Sequence, residues 1–236
     1  MQFLQQIVQS LKKVFASPKQ RWEKAQLEEL KFWDGISKTG YNDLSPDEFI
    51  KTGQRADMLA AIDFLGFEQS HWKDKTVVEF GSGPAGVIEY IDAKVKIAIE
   101  PLIKKYREIF PHLNLSSVRY LESAGESADT IGSESADLVI CYNMLDHVID
   151  PDAVLRQIKR VLKNNSHLLF QINVYDSKTE IENKTGTHAE LHPHSFTRDT
   201  IVEKLNEFGF KVEKENLSPH KNDCDERFFI CSCIKS

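Results

Sequence analysis

Apolar and polar residues change rhythm near residue 70. Before it, apolar side chains recur at steps of three and four, the spacing of amphipathic helices. Phe3, Leu4, Ile7, Val8, Leu11, Val14 and Phe15 form one stripe, flanked by Lys12 and Lys13. Trp22, Gln26, Leu30 and Trp33 form another after Pro18. In "SPDE", Ser45 can cap a helix, Pro46 suits its first turn and Glu48 can close a capping box. Arg55, Met58, Leu59 and Ile62 continue in helical register to about Gly66. Such stripes predict helices that dock on a larger body by their apolar faces.

From residue 75, short apolar runs alternate with helical segments. The runs 76–80, 96–100, 117–121, 136–142 and 167–173 predict strands; 85–91, 102–110, 151–162 and 197–208 predict helices. Asp150, Pro151 and Asp152 mark one helix start, and Gly209 one helix end. Two closing strands, 211–216 and 227–234, have no long helix between them and predict a hairpin-like pair. "SAGESADTIGSES" (123–135) is small and polar and predicts a loop in place of a helix. The expected fold is α/β: a Rossmann-like, mostly parallel seven-stranded sheet with helices on both faces over residues 71–236, preceded by a helical extension over residues 1–70.

In a sheet of this kind, ligands bind beyond the carboxyl ends of the strands. The first strand runs into "VVEFGSGPAG", where Gly81, Gly83 and Gly86 fit G-x-G-x-x-G. Gly81 and Gly83 let the backbone turn and come close to a ligand. The helix expected after Gly86 would favour negative charge at its start. Glu100, at the end of the second strand, suits the two hydroxyls of a ribose. Both NAD and S-adenosylmethionine meet these conditions. Three features separate them. Glu79 sets a carboxylate before the glycines, which suits a cationic amino-acid moiety and a sulfonium better than a pyrophosphate. "ADLVICYNMLDHVIDP" ends a strand in a polar loop with Asn143, Asp146 and His147. An additional strand pair follows the last helix.

Together, "VVEFGSGPAG", "IAIEP", "ADLVICYNMLDHVIDP", "VLKNNSHLLFQIN" and "HSFTRDTIVEKLNEFGFKV" resemble the class I S-adenosylmethionine-dependent methyltransferases, especially the small-molecule branch. The motifs keep the family's order across residues 75–236. The resemblance implies a sheet ordered 3-2-1-4-5-7-6 with strand 7 antiparallel. It implies Glu79, Gly81, Ser82 and Gly83 around the methionine part of the cofactor, Glu100 on the ribose, and Pro101 and Leu102 flanking adenine. It places Gly125 and Glu126 near the adenine edge, and Tyr142 and Asn143 beside the methionine end. A non-catalytic protein on the same fold stays open, because fold does not fix function.

Methyl transfer to a hydroxyl uses a general base, for which histidine is the usual choice. His188, His192 and His194 cluster in "THAELHPHSF", with His192 or His194 the first choice of base, and His147 follows the fourth strand. His147 reads more readily as a residue that packs its loop than as the base. His188, Glu190, His192 and His194 have ligand chemistry for a metal. The paired acidic motif of magnesium-dependent catechol-type enzymes is not visible, so no metal is expected. Gln26, Arg55 and His188 are candidate acceptor contacts, and "RWEKAQLEELKFW" loosely resembles the N-terminal helices of bacterial methyltransferases that modify sugars or other polar metabolites. The expected activity is methyl transfer to a polar small molecule at oxygen, with nitrogen as the alternative, yielding S-adenosylhomocysteine.

Composition narrows the partners. A net charge of −6 argues against a broad basic face for nucleic acid. No stretch is apolar enough to span a bilayer, and "MQFLQQIVQSLKKVFAS" lacks the plan of a secretory signal. The four cysteines, at 141, 224, 231 and 233, match no common zinc spacing and read as buried or free thiols, as in a reducing cytoplasm. Cys231 and Cys233 are expected on one side of a strand.

Overall fold

The computed structural model describes residues 17–41, 43–50, 62–63, 66, 69–183, 192–218 and 226–236. The stripe Phe3–Phe15, the helical register through Arg55 and Met58, His188, Glu190 and Cys224 lie outside the described residues.

Seven strands form one sheet in the order β3-β2-β1-β4-β5-β7-β6. They are β1 (Thr76–Phe80), β2 (Val95–Ile99), β3 (Arg119–Leu121), β4 (Ala136–Tyr142), β5 (Leu162–Tyr175), β6 (Phe210–Leu217) and β7 (Glu226–Lys235). β1 pairs in parallel with β2 and β4, and β4 with β5. β7 runs antiparallel between β5 and β6, so the hairpin-like pair is present and it also closes onto β5.

Alternate residues of each central strand enter opposite layers, as the pleat requires. Val78, Phe80, Val139, Cys141, Phe170 and Phe229 face one apolar cluster. The helices α3 (Pro151–Val161) and α5 (Arg198–Glu207) cover it, contributing Val154, Leu155, Ile158, Ile201 and Leu205. Val77, Ala98, Leu138 and Ile140 face the other side, under Val87, Ile88 and Ile91. Burial on both faces explains why β1 and β4 read as continuous apolar runs rather than as alternations. Cys231 and Cys233 do share a face, with Sγ atoms 3.6 Å apart, and both are free thiols.

The long N-terminal helix α1 (Pro18–Thr39) starts at Ser17, whose side chain accepts from the Gln20 N–H in a capping box. Trp33 and Ile36 dock it beside α2 (Ile103–Ile109), in a cluster with Ile103 and Tyr106. Ser45 and Glu48 form the expected capping box, over a single turn, Pro46–Glu48.

Several elements differ from the sequence pattern. The expected helix 85–91 is two short 3-10 turns, Gly83–Ala85 and Val87–Tyr90, because Gly86 between them is extended. β5 begins directly after α3 rather than at residue 167, and its register with β4 shifts between Ala136 and Leu138. The 123–135 segment holds a 3-10 turn, Gly125–Ser127, and a short helix α4 (Lys178–Asn183) follows β5.

Candidate active site

The carboxyl ends of β1, β2 and β4 open into a cavity of about 650 Å³, walled on one side by α1. All eleven residues that the resemblance assigns to the cofactor line it, from Glu79 through Asn143, and so do Gln26, His147 and His192.

The glycine loop is shaped by contact as much as by dihedral freedom. Gly81 has φ +69°, and a Cβ there would lie 2.6 Å from the Met144 Cβ. Gly86 has an ordinary φ, but its Cβ would meet Glu79 Oε2 at 2.7 Å. The third glycine of the motif is therefore required by close packing against Glu79.

Glu79 is buried in the sheet, and its two oxygens accept from the Val87 and Ile88 N–H groups, each at 3.1 Å. This corrects the expectation of an anion-seeking helix start beyond Gly86, since the chain's own carboxylate already occupies those donors. Glu100 is arranged differently. Its Oε2 accepts from the Gly83 N–H and its Oε1 from the Leu102 N–H, both at 2.9 Å. Each carboxylate oxygen has two lone pairs, so each keeps one beyond these bonds.

Desolvation pushes both carboxyls up to about 7, against the lowering effect of their N–H donors. Negative neighbours add to the rise: Glu89 and Glu100 for Glu79, and Glu29 for Glu100. Among the described lining residues there is no Lys or Arg, while Glu29 and Glu126 add further acids. Such a cavity favours a ligand that brings positive charge. Glu126 also braces the backbone. Its Oε1 accepts from the Ile149 and Asp150 N–H groups, at 2.8 and 3.1 Å, and so ties down the loop after β4.

That loop carries the second group of polar residues. Asn143 has φ +48°, and its N–H donates to the Gln171 carbonyl at 3.0 Å. Asp146 is 4% exposed. Its Oδ1 lies 3.8 Å from His147 Nε2, and its Oδ2 lies 3.8 Å from His192 Nε2. The two imidazole rings are 4.3 Å apart at 58°. Asn173 of β5 and Phe228 of β7 border the same end of the sheet and line the cavity.

His194, expected as a candidate base, is placed away from the cavity lining. Its Nε2 sits 3.0 Å from the Val148 carbonyl. Its backbone N–H donates to the Asp146 carbonyl at 3.3 Å, so it fastens the His192 segment to the loop after β4. Trp33 is chiefly a docking residue, buried with its Nε1–H donating to Glu29 at 2.7 Å. Arg55 and His188 lie outside the described residues.

Asp146 was visible in the sequence as part of the polar loop after the fourth strand, but nothing in the pattern gave it a role beside the histidines. Glu29 and Asn173 had no such signal, because their positions depend on how α1 and β5 meet the sheet.

Comparison with known proteins agrees with this geometry. A family profile described as a methyltransferase domain matches residues 50–215. No curated protein matches the chain. Among solved structures, a proposed methyltransferase from Bacillus halodurans has a TM-score of 0.61 at 14% identity, covering 76% of this chain and 99% of its own. The geranyl diphosphate C-methyltransferase of Streptomyces coelicolor, solved with Mg2+, geranyl diphosphate and S-adenosyl-L-homocysteine, has a TM-score of 0.59 at 13% identity, covering 84% and 87%. Phosphoethanolamine N-methyltransferase 2 of Haemonchus contortus, solved with phosphomonomethylethanolamine and S-adenosylhomocysteine, has a TM-score of 0.63 at 14% identity, covering 93% and 60%. At these identities the likeness is one of fold. The sheet order and the profile match define the class, and the chain belongs to the S-adenosylmethionine-dependent methyltransferase family. No helix among the described residues is long and apolar enough to cross a membrane.

Proposed function

We propose that the protein methylates a hydroxyl oxygen of a polar small molecule, a sugar or related metabolite, with S-adenosylmethionine as donor. The observation that carries this reading is the pairing, in one acidic cavity, of a ribose-type carboxylate at one end with an imidazole pair on a buried carboxylate at the other.

The residues fit the cofactor. Glu100 keeps a lone pair on each oxygen for a pair of hydroxyls. A Cβ on Gly83 would meet nothing nearer than Trp33, at 3.9 Å, so a ligand can pass over that backbone. Glu79 and Glu100 supply negative charge without a basic neighbour in the described lining, which suits an ammonium and a sulfonium. When bound, the cofactor supplies an activated methyl group and a neutral leaving group.

The chain's own work is alignment and proton removal. Pro101 and Leu102 border the adenine side, with Gly125 and Glu126 beside them, and Tyr142 and Asn143 border the methionine end. The acceptor lies towards Asn173, Phe228 and the Asp146 cluster. Its hydroxyl loses its proton at that cluster, in the simplest form to His192 or His147, with Asp146 stabilising the imidazolium. Gln26, with Trp22, Phe32 and Phe49 among the described residues of the N-terminal extension, walls the cavity.

The test is production of S-adenosylhomocysteine from S-adenosylmethionine with a panel of sugars, polyols and amines. His192→Ala and His147→Ala should lower kcat by about 10²-fold or more, with affinity for S-adenosylhomocysteine unchanged. Turnover confined to amines would replace oxygen by nitrogen. Tight cofactor binding with no acceptor turned over would favour a silent binder.

A further inference from the structure

We propose that Asp146, His147 and His192 form a binding site for a divalent first-row transition cation, such as Zn2+, Mn2+ or Co2+, and that the acceptor hydroxyl binds to that cation. The acceptor half of this statement rests on the function proposed above; the cation site itself does not. One carboxylate oxygen and two imidazole nitrogens lie within 4.8 Å of one another. Their side chains are 6%, 18% and 12% exposed for Asp146, His147 and His192, so the set is sheltered but reachable from the cavity.

A second observation points the same way. Asp146 Oδ1 is fully buried and accepts no hydrogen bond from any described residue. Buried carboxylate oxygens without partners are costly and uncommon. Here the unsatisfied Oδ1 lies 3.8 Å from His147 Nε2, too far for a hydrogen bond, while the other oxygen of the same carboxylate, Oδ2, lies 3.8 Å from His192 Nε2. A bound cation at about 2.0–2.1 Å from each ligand atom holds those atoms roughly 3 to 3.4 Å apart. Side-chain rotations that draw the three ligand atoms in from within 4.8 Å of one another close the set.

Both ligand-bearing segments are held in place. The His194 N–H reaches the Asp146 carbonyl, and its ring reaches the Val148 carbonyl. Two nitrogens and one oxygen favour transition ions over Mg2+ or Ca2+, which prefer oxygen. Three protein ligands leave coordination positions open towards the cavity.

A cation there lowers the pKa of a bound hydroxyl, and the proton passes to bulk water. The oxygen lone pair then forms the bond to the methyl carbon, while the carbon–sulfur electron pair stays on sulfur. The imidazoles act as ligands in this form rather than as free bases.

The full chain, treated with EDTA and desalted, is titrated with Co2+, followed by its visible absorption, and with Zn2+ by calorimetry. The expected result is one ion per chain, with affinity falling at least about 10- to 100-fold in Asp146→Asn and His192→Ala. Unchanged circular dichroism and S-adenosylhomocysteine binding in those variants confirm that the fold is intact. The absence of saturable binding, or equal affinity in both variants, overturns the proposal. Saturable, variant-sensitive binding without turnover of any hydroxyl acceptor supports the cation site and refutes the proposed function. Turnover unaffected by EDTA but abolished by the variants refutes the cation and leaves the histidine base.

Discussion

Glu100→Gln separates what the cavity does for a ligand from what it does to the empty fold. The folded carboxyl titrates at about 7 instead of the ordinary 4.5. It holds its proton to higher pH than the unfolded chain does, so stability falls as pH rises from 4.5 to 7 and levels off above. The full loss is about 3 kcal/mol. Glutamine has no such dependence. Its single oxygen, however, cannot serve both the Gly83 and Leu102 N–H groups. One donor left unsatisfied costs about 1–3 kcal/mol at every pH. The variant should therefore be less stable than the native protein at pH 5 and equal or more stable at pH 8. At about 2–4 °C per kcal/mol for a chain of this size, the gap in melting temperature should move by roughly 5 to 10 °C between the two pH values. Affinity for S-adenosylhomocysteine should fall by at least about 10²-fold, since two charge-assisted bonds to the ribose are weakened. Thermal unfolding at both pH values and calorimetric titration check the pair. A melting difference that is the same at pH 5 and pH 8 refutes the burial argument, and unchanged affinity refutes the ribose assignment.

Binding of S-adenosylmethionine should release protons near neutral pH, because a cation favours the ionised forms of Glu79 and Glu100, both poised at about 7. Calorimetry in two buffers of unlike ionisation enthalpy reads this directly, and affinity should rise from pH 6 to pH 8. Gly81→Ala combines a φ of +69° with a 2.6 Å approach to Met144, and should lose about 2–4 kcal/mol in denaturant unfolding. Adding Met144→Ala should restore only part of that, and full restoration would contradict the backbone contribution. His194→Ala should cost about 1 kcal/mol of stability through its lost bond to Val148 and leave kcat within a few-fold. A kcat collapse in a folded His194→Ala protein would return it to the chemistry.

The layered architecture was legible because burial on both faces leaves an uninterrupted apolar signature, as in "TVVEF" and "ADLVICY". The nearly correct bounds of α3 follow from Asp150, whose side chain accepts from the Asp152 and Ala153 N–H groups. The 85–91 error arose because local spacing could not show that Glu79 takes up the donors of that turn. The site was legible in part. Glu100 and the glycines belong to local motifs, and the structure sets them around one cavity. The choice among histidines was not legible. His192 and His194 are two residues apart, yet one faces Asp146 Oδ2 and the other the Val148 carbonyl. Only the path of the chain across the loop after β4 separates them.

The place of β7 in the sheet also orders events in time. β6 is synthesised before β7 but lies beyond it, so it has no strand to pair with until β7 slots in. Until then β5 presents an open edge carrying Leu168, Phe170 and Ile172, the kind of surface that invites pairing with another chain. Phe228, part of the cavity wall, arrives with the same strand. A nascent chain therefore passes through its most adhesive stage before its cavity is complete, when abundant cofactor would have the least hold with which to rescue it.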